Sequence, residues 1–68
     1  MALRFIGIDP NSDDTNCPRV WVDEEADEFV IQGWKASAEL EGQVRKTGPL
    51  PDYEGVVRIP KRMAHILR

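Results

Sequence analysis

The sequence predicts a small α+β domain: an antiparallel sheet of about four strands, with a short C-terminal helix packed on it. Three observations carry this. Short β-branched and aromatic runs (LRFIGI, RVWVD and EFVIQGW) alternate with polar segments. The acidic insert EEAD separates the second run from the third as a hairpin loop would. An apolar stripe of helical spacing follows Pro60 at the C-terminal end.

Leu3–Ile8 reads as the first strand, ended by Asp9-Pro10, a turn initiator. Asn11–Asn16 reads as loop, because asparagine and aspartate side chains compete for backbone hydrogen bonds. Arg19–Asp23 and Glu28–Trp34 then form the hairpin. With Glu24–Asp27 as its loop, Asp23 faces Glu28, Val22 faces Phe29, Trp21 faces Val30 and Val20 faces Ile31. Side chains alternate along a strand, so Val20, Val22, Phe29 and Ile31 share one face. Trp21, Val30 and Trp34 share the other, with Cys17, Arg19 and Gln32 beside them. Asp23 opposite Glu28 sets like charges together, which leaves a shorter loop or another register as alternatives.

Ala36–Val44 leans helical, giving a short helix near 37–45 with Ser37 as cap and Leu40 and Val44 at i, i+4. TGPLPDYEG is a loop, bracketed by glycines and holding two prolines. Val56–Ile59 is a strand. Pro60 suits the first residue of a helix, and Met63, Ile66 and Leu67 make its apolar stripe. Both hairpin faces carry large apolar groups, and the terminal helix is the natural lid for the tryptophan face.

At 68 residues the chain is one domain, 1–68, burying only about 60% of its unfolded surface. Stability is then marginal, and dimerisation is one common remedy. The 41% apolar share supports a modest core and the 31% charged share a water-facing surface. No apolar run approaches the roughly 20 residues of a bilayer span, and no signal peptide is evident. One cysteine cannot form an internal disulfide, which points to a reducing, cytoplasmic setting. The net charge of −3 hides a gradient: eight acids lie between Asp9 and Glu28 against Arg19 alone, whereas Gly55–Arg68 holds four bases and no acid. An acidic chain is a poor generic binder of nucleic acid.

Asp9, Asn11 and Asp13 match positions 1, 3 and 5 of a calcium loop. Asp14 stands where that loop needs glycine and Val20 where it needs glutamate, so a solvated turn is expected and no metal. Cys17 and His65 offer a thiol and a base, but acidic neighbours raise a thiol's pKa and zinc wants more ligands than these two. The carboxylates of Asp23–Glu28 sit on a tight hairpin tip that offers no cleft for acid–base chemistry. No phosphate loop or hydrolase motif is present. No catalytic residue and no cofactor is expected. The rival functions are a nucleic-acid accessory using Arg58, Lys61, Arg62 and Arg68, and a metal or thiol protein using Cys17 with the acidic loop.

The pattern NCPRVWVDE, then QGW, then VVRIPKRM resembles a group of short actinobacterial proteins of about this length, over most of the chain. To that group no activity and no site residues attach. The resemblance implies only a genomic setting near helix-turn-helix regulators. The expectation is a non-catalytic binding or regulatory accessory acting through protein contacts or as a homodimer, with Trp21, Trp34, Arg58 and Arg62 as contact residues.

Overall fold

The computed structural model describes residues 2–11 and 17–67. The loop over 12–16, with Asp13 and Asp14 of the calcium-like spacing, lies outside the described residues, as does Arg68. Two antiparallel sheets, one α-helix and a terminal 3₁₀ helix make an α+β fold, as the sequence predicts. The main sheet joins β1 (Leu3–Ile8), β2 (Arg19–Asp23) and β3 (Glu28–Gln32) in that order. The second pairs β4 (Trp34–Lys35) with β5 (Val57–Arg58). Between them runs α1 (Ala38–Arg45).

The hairpin takes the expected register: Val20 opposite Ile31, Trp21 opposite Val30, Val22 opposite Phe29 and Asp23 opposite Glu28. The like charges at its end do not shift it, and the reason is local. One Asp23 carboxylate oxygen accepts hydrogen bonds from the N–H groups of Glu25 (3.1 Å) and Ala26 (3.2 Å). The turn therefore occupies the charge that would repel Glu28. Asp27 closes the loop at φ 58°, a left-handed conformation that aspartate tolerates better than most residues.

Across the sheet the side chains form rows. Phe5, Trp21 and Val30 lie on one face, Phe5 meeting Trp21 edge-on at 6.1 Å and 66°. Gly7, Val20 and Ile31 lie on the other, as do Arg4, Val22 and Phe29. Ile6 is an extra residue between Phe5 and Gly7, a β-bulge that changes the phase of β1.

The lid expectation needs correction. The 3₁₀ helix Lys61–Ile66 covers the Val20 face, not the tryptophan face. A Cβ at Gly7 would stand 2.5 Å from Ile66 Cδ1 and 3.0 Å from its Cγ atoms. The bare glycine beside Val20 makes room for the helix there, whereas Phe5 occupies the corresponding place beside Trp21. The segment is 3₁₀ rather than α, and Pro60 precedes it at ψ 143° instead of opening it. Residues at i and i+3 eclipse in a 3₁₀ helix, so Met63 and Ile66 point the same way. Met63 and Val20 are fully buried and, with Cys17 and Pro18, form a very small core.

The expected strand Glu28–Trp34 divides at Gly33. There a Cβ would stand 2.5 Å from the Arg58 carbonyl oxygen and 2.9 Å from Ile59 Cγ2. The chain can approach β5 that closely only without a side chain, and there it leaves β3 to found the second sheet. Trp34 thus faces Arg58 in β4–β5 and does not share a face with Trp21. Among the described residues the strands number five, divided between a three-stranded and a two-stranded sheet.

Helix α1 forms as expected. The Ser37 hydroxyl accepts from Leu40 N–H at 3.1 Å, and Leu40 and Val44 are half-buried. Gly42 lies on its exposed side, with nothing within 4 Å of a built Cβ. Gly42→Ala therefore raises stability by about 0.5–1 kcal/mol, read as a higher urea midpoint with an unchanged slope.

The molecule is a slab of 32 × 31 × 19 Å. Its radius of gyration, 13.4 Å, exceeds the roughly 11 Å of a compact domain this long. Its exposed surface is 5368 Å², against about 4,300 Å² for a typical folded monomer of 7.7 kDa.

Candidate functional site

Four residues, Trp21, Trp34, Arg58 and Arg62, are the sequence's candidates for partner contacts. The structure distributes them over three places. Trp21 is half-buried in the middle of the main sheet, packed against Phe5. Trp34 stands 42% exposed on β4, and the guanidinium of Arg58 on β5 lies over its ring, 5.8 Å from the centroid. The two are cross-strand partners, so the backbone ladder sets the cation on the π face. Trp34 and Arg58 are the one pair of the four that the fold brings together.

Arg62 serves the fold. Its Nε donates to Asp9 Oδ1 at 2.6 Å and a terminal nitrogen donates to Oδ2 at 2.7 Å, a bidentate ion pair between residues 53 positions apart. The Asp9 side chain is 0% exposed and that of Arg62 45%. Asp9 Oδ1 also accepts from Asn11 N–H at 3.2 Å, and Asp9 N–H donates to the Pro18 carbonyl at 3.0 Å. A carboxylate so engaged is a structural anchor, pinning the end of β1 and its turn to the terminal helix. The hydrogen bond to Asp9 raises the Arg62 pKa above its ordinary value, against the opposing effect of desolvation. A raised basic pKa gives stability that is complete below the unfolded value and lost only as pH rises through the folded one. This contribution is therefore constant through the neutral range.

Cys17 is buried at 2% exposure. Its carbonyl accepts from Arg19 and from Gln32 Nε2, each at 3.4 Å. His65 is exposed, its Nδ1 2.9 Å from the Arg62 carbonyl. Among the described residues, no group of three or more His, Cys, Asp or Glu side chains is placed to hold a metal ion. Of the four bases expected to form a patch, Arg62 is bound to Asp9, Arg58 lies over Trp34 and Lys61 is exposed. Among the described residues no helix is long and apolar enough to cross a membrane.

Two features were missed from the sequence. The hairpin tip does border a cleft, of about 370 Å³, lined by Arg4, Val22, Glu24, Asp27, Glu28 and Phe29. Arg4 is paired there with Glu24 at 3.4 Å, both side chains more than half exposed. The row Arg4–Val22–Phe29 was the available signal, but it requires the β1–β2 register. The second is β3 itself. All five of its residues are exposed, including Phe29 (43%), Val30 (39%) and Ile31 (38%), on both faces of the sheet.

Comparison with models of protein families, with curated proteins and with solved structures finds no match to the chain.

Proposed function

We propose that this protein is a non-catalytic binding protein of the cytoplasm that acts through contacts with other proteins. The observation that carries the reading is Trp34, a large aromatic side chain left 42% exposed yet held by the β4–β5 pairing and the Arg58 guanidinium. An anchor already fixed in place loses little entropy on binding, and tryptophan and arginine are the side chains that most often dominate interface energy. The thiol supports the same view: buried at 2% exposure, Cys17 behaves as a small core residue. The single cysteine supports the compartment.

The test is affinity capture from native lysate on immobilised wild-type protein and on Trp34→Ala, each first shown folded by circular dichroism. The wild type is expected to retain a protein partner that Trp34→Ala retains at least about tenfold less, equivalent to about 1.4 kcal/mol. Equal retention by the two, or turnover of a substrate that disappears in Cys17→Ser, would remove the proposal.

A further inference from the structure

We propose that β3 is a self-pairing edge: two copies of this chain join antiparallel through β3 to form one continuous six-stranded sheet. The proposal deepens the contact function above by naming one partner, a second copy. It rests on β3 and not on Trp34.

The backbone directions come first. Glu24 N–H donates to the Ala2 carbonyl and the Pro18 carbonyl accepts from Asp9, so the even-numbered residues of β2 point their peptide groups at β1. Directions alternate along a strand, so Arg19, Trp21 and Asp23 bond to β3, through Gln32, Val30 and Glu28. Phe29 and Ile31 are then left with N–H and C=O groups aimed outward. Among the described residues β3 has no second neighbour.

Such an edge usually carries a lysine, a proline or a bulge to discourage pairing. EFVIQ has none of these. β1, the opposite edge, carries the Ile6 bulge. One edge is open and the other is guarded, which favours a closed pair over an open-ended fibre.

The strand is also complementary to itself. A twofold axis at Val30 sets Phe29 against Ile31 of the second copy as a hydrogen-bonded pair, twice over. Val30 then meets Val30, and Glu28 meets the neutral Gln32. This register pairs all five residues and uses the outward groups of both strands. The acidic tips, with Glu24, Glu25 and Asp27, point to opposite ends of the joined sheet. A parallel arrangement would set Glu28 beside Glu28 and the two tips side by side, which is repulsive. The area is consistent as well. The chain exposes 5368 Å², roughly 1,000 Å² more than a typical monomer of its mass, so surface is available for a partner to cover.

Sedimentation equilibrium across a dilution series tests this on the wild type, Ile31→Pro and Phe29→Lys. Proline at 31 deletes an outward N–H while leaving the β2–β3 bonds in place, and lysine at 29 charges the edge. The wild type is expected at twice the 7.7 kDa chain mass, and both variants at the chain mass with unchanged circular dichroism. Phe29→Lys, at an already exposed position, keeps the test decisive if Ile31→Pro disturbs the strand. A wild type that stays monomeric throughout, or a dimer that survives in Phe29→Lys, overturns the self-pairing. If that wild type still retains a partner in a Trp34-dependent manner, the self-pairing alone fails and the contact function stands.

Discussion

Replacing Arg62 with methionine is expected to lower thermal stability more than removing the charge from its partner Asp9. The cause lies in the asymmetry of the pair: Asp9 has no exposed side-chain surface, whereas the Arg62 side chain is 45% exposed. Removing the arginine strips a buried carboxylate of its bidentate ion pair, the costly way to break such a pair. Removing the charge from the other side is milder, because the freed guanidinium can turn to water. Asp9→Asn should cost about 2 kcal/mol, or roughly 8–16 °C in Tm for a domain of this size. Arg62→Met should fall below it, and the double variant should lie above Arg62→Met alone, because it no longer buries a carboxylate that has lost its ion pair. Thermal melts of the four proteins at neutral pH form a double-mutant cycle that reads the coupling directly. Equal losses in the two single variants would show that the pair is not the asymmetric anchor its exposure implies.

Met63→Ala is the second large effect. Met63 is fully buried where the 3₁₀ helix meets the Val20 face, and among the described residues the rest of the core is Val20, Cys17 and Pro18. A buried methionine cut to alanine costs about 2–5 kcal/mol, depending on how far the site collapses. A small domain rarely has more than about 3–5 kcal/mol to lose. The variant should therefore be substantially unfolded in dilute buffer, measured by urea titration followed at the tryptophans. Met63→Leu, nearly the same in volume, should cost less than about 1.5 kcal/mol. A Met63→Ala midpoint close to that of the wild type would mean that the helix contributes little to the core.

Local pattern made much of this fold legible. Alternation gave β1 and the hairpin register residue by residue, and the serine cap gave α1. What stayed hidden depends on contacts between distant segments. The division of the third strand at Gly33 follows from the approach of the Arg58 carbonyl, 25 positions away, and no periodicity reports that. The side on which the terminal helix lands depends on Gly7 lying beside Val20, which in turn depends on the Ile6 bulge. The same holds at the site. Asp9 and Arg62 are each unremarkable in the sequence, one a turn residue and the other part of a basic run, and their pairing across 53 positions assigns both to the fold. Trp34 and Arg58 were legible as residue types, and their stacking only from the β4–β5 pairing.

On the proposed reading the protein acts through its surface, and β3, exposed along all five of its residues, is the edge offered for pairing. Amide hydrogen exchange followed residue by residue over a dilution series reports on it most directly. The amides of Phe29 and Ile31 should become more protected as concentration rises, while Val30, already bonded to β2, changes little. Exchange at Phe29 and Ile31 that is fast and independent of concentration would contradict the pairing of this edge.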